Sequence, residues 1–129
     1  MNSRLLALAV TAAGVLMFAF PVFAHHGTAA YDTAAPVTVS GTVTEFRFVN
    51  PHVLIFWEVK DEKGTVVLWS GERSGPNSMA RNAGWTPKTI KPGDQVTITG
   101  RQSKNGSPTM AVSKIILNGK ELSQGGGDN

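Results

Sequence analysis

The 129-residue chain contains no cysteine. That absence excludes disulfide staples, thiolate zinc sites, haem attachment through Cys and dithiol redox chemistry. Whatever folds here must be held together by burial. Histidine is scarce, at three residues, and there is a single tyrosine. No run of like charge exceeds Asp61-Glu62, and Lys60 and Lys63 flank that pair. Nucleic-acid binding calls for Lys and Arg gathered on one face or stripe, so no nucleic-acid partner is expected. Familiar catalytic signatures are missing too. Ser70, Ser74 and Ser78 have no G-x-S-x-G elbow around them. Gly125-Gly126-Gly127 has neither a strand before it nor a helix after it, which rules out a phosphate loop.

What is present begins with a leader. Arg4 supplies a positive n-region, Leu5 to Phe20 an apolar h-region, and Pro21-Val22-Phe23-Ala24 an A-x-A-like cleavage signal. Residues 1–24 therefore read as a secretory signal peptide, and the protein as periplasmic or secreted. Cleavage after Ala24 leaves 105 of the 129 residues, enough for one small domain with one core. Arg4 leaves with the leader, so 11 Lys and Arg face 9 Asp and Glu, a formal +2. Beyond the leader no apolar stretch approaches the ~20 residues of a spanning helix.

Residues 25–36 read as an extended lead without periodicity. Val37, Val39, Gly41 and Val43 then alternate with Thr and Ser, a period of two that marks a strand. The phase slips afterwards, because Phe46 and Phe48 are apolar while Glu45 and Arg47 are polar. Side-chain faces exchange in this way only at a bulge or sharp bend. Asn50-Pro51 breaks the strand. Val53 to Val59 and Thr65 to Ser70 form a second and third strand around an Asp61-Gly64 turn. Asn77 or Ser78 is expected to cap a short helix that Gly84 closes, with Met79 and Ala80 as its core face. Lys91-Pro92-Gly93-Asp94 turns into a fourth strand, Gln95 to Arg101, with Val96 and Ile98 inward. Asn105-Gly106 signals a hairpin into a fifth, Thr109 to Leu117. Asn118-Gly119 makes a further turn, and residues 123–129 read as a disordered tail. Five strands with one short helix between the third and fourth predict an all-β, OB-fold-like Greek-key barrel over residues 37–122.

Two constellations carry the chemistry. Processing after Ala24 would make His25 the first residue, so its α-amine and ring nitrogen could chelate one metal, with His26 beside them. Imidazole suits Cu, Zn and Ni, and Cu(II) binds most tightly of the divalent series. His52, in Asn50-Pro51-His52, is the candidate third ligand. The 12 residues from His25 to Pro36 can span ~40 Å when extended, so reach does not forbid it. The second constellation is Trp69, Glu72, Arg73, Asn77, Arg81 and Trp85. OB barrels bind ligands on the face of strands two and three. Trp57, Trp69 and Trp85 offer a stacking platform, and Arg73 or Arg81 an anion contact. The preferred assignment of the tryptophans themselves places Trp57 and Trp69 in the core and Trp85 at a helix-to-barrel contact. No two carboxylates are placed by pattern as an acid–base pair, although Glu58 and Glu72 could approach across neighbouring strands.

Ala24-His25-His26, Asn50-Pro51-His52, Trp69 and Glu72, Pro76-Asn77, Arg81, Gly84-Trp85 and Pro92-Gly93-Asp94 together resemble a family of small exported bacterial proteins classed as a domain of unknown function. The resemblance runs from His25 to about Leu122 and implies an OB-like barrel and export, without an activity. A resemblance of topology alone is to periplasmic OB modules that bind small cationic or haem-like ligands. The tyrosine near a histidine that haem carriers use is not evident, since Tyr31 lies in the lead. The functional expectation is a non-enzymatic exported domain that binds a small ligand, foremost Cu(II) or a similar late transition metal, through His25, His26 and His52. The alternative is a cell-envelope module that docks a protein or glycan and has no metal site. A copper oxidase or reductase is the remaining option.

Overall fold

The computed structural model describes residues 30–31 and 35–125. Strands β1 (Val37–Arg47), β2 (Leu54–Lys60), β3 (Val66–Glu72), β4 (Gln95–Gln102), β5 (Thr109–Leu117) and β6 (Lys120–Glu121) follow one another. Helix α1 (Pro76–Ala83) stands between β3 and β4. The sheet order is β3-β2-β1-β4-β5-β6, and a further β3–β5 pairing closes the first five strands into a barrel. That closure is parallel and short, with Ser70, Gly71 and Glu72 opposite Thr109, Met110 and Ala111. The architecture is the five-stranded barrel with one intervening helix that the spacing predicts. β6 extends it as a two-residue return through the Asn118-Gly119 turn, where both residues have positive φ.

The long first strand serves two neighbours. Val37 to Thr42 pair with β4 and Thr42 to Arg47 with β2. The register shifts between Val43 and Glu45, where the alternation slips by one. Thr44 is the extra residue, and the bulge turns Phe46 and Phe48 toward the core they pack against. The barrel interior is built from Val43, Ile55, Trp57, Val96, Ile98, Met110 and Ile115, each almost wholly removed from water. On the outer face, Arg47 lays its guanidinium carbon 4.9 Å from the centroid of Phe56, shielding that half-buried ring.

Helix α1 joins the core through Met79. Its start differs from the sequence expectation. Gly75 is the N-cap and Pro76 occupies the first turn, where proline's missing N–H costs nothing, so neither Asn77 nor Ser78 caps the helix. Ala80 faces solvent, and the buried positions are Pro76 and Met79. Gly84 ends the helix in the left-handed region at φ 71°, returning its N–H to Ala80 O.

Candidate functional site

Three segments converge where β3 meets β5. The β1–β2 loop is tied to the end of β3 by Arg73 N–H donating to Val53 O at 2.9 Å and Val53 N–H to Ser74 O at 3.3 Å. This sets His52, which is exposed, against the backbone of Arg73, with its Nδ1 3.1 Å from Arg73 O. A carbonyl oxygen only accepts, so Nδ1 carries the hydrogen. In the neutral ring Nε2 then keeps its lone pair. A carbonyl holding one ring nitrogen so that the other is free is the usual arrangement behind a metal-ligating histidine.

His52 lies on the rim of an open cleft of about 250 Å³ that is also lined by Glu72, Arg73, Ser74, Arg101 and Ala111. Glu72 pairs with Ala111, and Ala111 with Arg101, so these three form one row across β3, β5 and β4. Arg73 is half-buried. Its guanidinium donates to Val112 O at 2.7 Å and to Gln124 O at 2.5 Å, and burial holds its pKa below the usual arginine range. Its buried Nε–H has no partner among the described residues.

Tyr31 also reaches this place. It forms an isolated bridge with Ser103, and Lys104 N–H donates to Ala30 O at 3.1 Å, which pins that part of the lead to the β4–β5 loop. The phenol is 9% exposed. Its pKa is pushed up to about 12, first by burial and then by the charge of Glu72 and a hydrogen bond to that carboxylate. The lead is therefore anchored at its middle, beside the cleft. By sequence Tyr31 falls in the lead, outside both candidate constellations. The only signal was its being the one aromatic ring in a stretch of small and polar residues.

The remaining candidates separate. Trp69 is half-buried and stacked on Trp57, with ring centroids 6.1 Å apart and planes 28° from parallel. Trp57 is fully buried, and Trp85, at 3% exposure, donates its Nε1–H to Ser123 O at 2.7 Å and packs near Phe46. The three indoles thus form no open stacking platform, because the barrel uses two of them as bulk. Asn77 and Arg81 are exposed on α1, with Arg81 Nε–H 3.4 Å from Asn77 O, and line no part of the cleft. Glu58 and Glu72 do not approach: Glu58 pairs with Leu68 and Glu72 with Leu54. Four residues along a strand put them roughly 13 Å apart. The carbonyls of Ser123 and Gln124 accept bonds from Trp85 and Arg73, so the chain stays fastened beyond the end of the predicted barrel. His25, His26, the leader and residues 126–129 lie outside the described residues. Among the described residues no group of three or more His, Asp and Glu is gathered to hold a metal.

A second depression, of about 430 Å³, lies over β1 and β2 and is lined by Ser40, Thr42, Glu58, Lys60, Val66 and Gln95. Two of its polar groups, Thr42 and Gln95, bond each other, with the Gln95 amide donating to Thr42 at 2.9 Å. Ser40 bonds Thr97 at 2.8 Å.

The model of a family of unknown function, DUF6152, matches residues 12–112. The chain belongs to that family. The match spans every strand that closes the barrel except the end of β5, and it takes in Tyr31, His52, Glu72 and Arg101. No curated protein matches this DUF6152 chain.

Proposed function

We propose that this DUF6152 protein is an exported, non-enzymatic ligand-binding domain that takes up Cu(II) or a similar late transition metal. His25 and His26 of the processed chain supply the amine and imidazole donors, and His52 supplies a third imidazole through Nε2. The anchoring of the lead at Tyr31 beside the His52 cleft carries this reading. Tyr31 follows His26 by five positions, a tether of ~17 Å at most, so the histidines stay within reach of the cleft. The second support is the Arg73 carbonyl that leaves Nε2 of His52 available. Imidazole donors without thiolates favour Cu(II) over softer sites.

Titrating Cu(II) into protein that begins at His25 is expected to give tight one-to-one binding. An added Met before His25 removes the five- or six-membered chelate and should abolish the tight phase, and His52→Ala should weaken it at least tenfold. Equal affinity in all three proteins would contradict the proposal.

A second reading, an envelope interaction module without a metal site, is favoured by one observation. Val66 and Leu68 are 49% and 54% exposed on the outer face of β3. Before Ser70, where these two residues lie, the strand has no β5 partner. If this face docks a protein or glycan, Leu68→Lys should abolish capture of the partner while leaving Cu(II) binding intact.

A further inference from the structure

The cleft beside His52 holds a second set of groups that the histidines do not use. Glu72, Ala111 and Arg101 stand in one row on three adjacent strands. Neighbouring strands lie ~4.8 Å apart, so the small Ala111 floors a gap of roughly 10 Å between the backbones of acid and base. The ion pairs among the described residues are Arg47–Glu45 and Lys114–Glu121, so Glu72 and Arg101 do not close the gap between themselves.

The balance of donors and acceptors decides what the gap suits. Glu72 already accepts the hydroxyl of Tyr31. Arg101 is exposed and forms no side-chain hydrogen bond within the described fold. Arg73 directs two N–H groups to backbone carbonyls, leaving its buried Nε–H without a partner. Ser74 adds a hydroxyl at the rim. Two guanidinium groups and a hydroxyl therefore face one carboxylate whose acceptor capacity is partly taken, leaving a surplus of donors and of positive charge.

We propose that this cleft binds a small oxyanion, a carboxylate or a phosphate, held by Arg101 with Arg73 and Ser74 at its inner wall. Guanidinium groups match both anions through paired N–H donors, and a half-buried guanidinium without a carboxylate partner is relieved by an anion. A cleft of about 250 Å³ accommodates inorganic phosphate or a short organic acid. The site uses none of the histidines and stands whether or not the protein binds a metal.

The test uses the exported protein stripped of metal on a chelating resin, with inorganic phosphate and acetate as separate probes at constant ionic strength in chloride. Arginine Nε–H resonances report directly. At least one anion is expected to shift the Arg73 and Arg101 signals saturably and one-to-one, and the anion that saturates identifies the class. Arg101→Gln, which removes no contact of the fold, should weaken that binding at least tenfold. Shifts that rise linearly without saturation for both anions, or an Arg101→Gln protein that binds as the parent does, would overturn the proposal.

Discussion

At the scale of single residues, Tyr31 and Gly71 give the sharpest expectations. Because burial and Glu72 favour the protonated phenol, the folded pKa of Tyr31 lies above its ordinary value near 10 and reaches about 12. The sign follows from linkage. The contribution to stability is complete below pH ~10 and is lost as the pH rises toward ~12. Tyr31 is the only tyrosine, so tyrosinate absorbance reads it alone. A single transition near 12 is expected in folded protein; one near 10 would show a solvated phenol and a loose lead. Gly71 makes a different demand. A Cβ there would meet Val112 Cγ2 at 2.5 Å and the Trp57 ring at 3.2 Å, where β3 and β5 close over the core. Gly71→Ala should therefore destabilise by about 1–3 kcal/mol in chemical denaturation, the usual cost of overpacking.

At the scale of elements, helix α1 separates packing from capping. Met79 is 2% exposed and belongs to the barrel core, so Met79→Ala should cost about 2–5 kcal/mol. Asn77→Ala and Ser78→Ala should stay within about 0.5 kcal/mol, because Gly75 caps the helix, Asn77 is exposed and Ser78 accepts only a solvent-exposed hydrogen bond from Asn82. Denaturant midpoints of the three variants check the contrast. The elements themselves were largely legible. The period of two, the slip after Val43 and the Asn-Gly and Pro-Gly-Asp turns gave the strand order and the bulge, because each is a local steric requirement. The helix start departs from the expected polar cap for a local reason as well: Pro76 at the first turn is as good an initiation signal as Asn77 or Ser78. The two-residue β6 was too short to leave a periodicity.

At the scale of the whole molecule, the site was less legible than the fold. His52 and Glu72 were singled out for their type, yet what joins them to Arg101 and Tyr31 is the β3–β5 closure. Those pairs lie 39 positions apart in the chain, and no local pattern encodes them. Asn77, Arg81 and Trp85 were grouped with Glu72 by nearness in sequence. The fold instead places the first two on a solvent face and buries the third. Trp57 and Trp85 are buried as the core assignment expects, since a cysteine-free core of this size draws its bulk from aromatic rings wherever they occur. Ala30 and Tyr31 are fastened to the β4–β5 loop, and the proposed metal site requires the histidines that precede them to meet His52 at the cleft. Paramagnetic broadening by one equivalent of Cu(II) reads this directly in the NMR spectrum of the processed protein. Loss of the His52 signals together with those of Glu72 and Ala111 is the predicted result. Broadening confined to the first few residues, with His52 untouched, would contradict it.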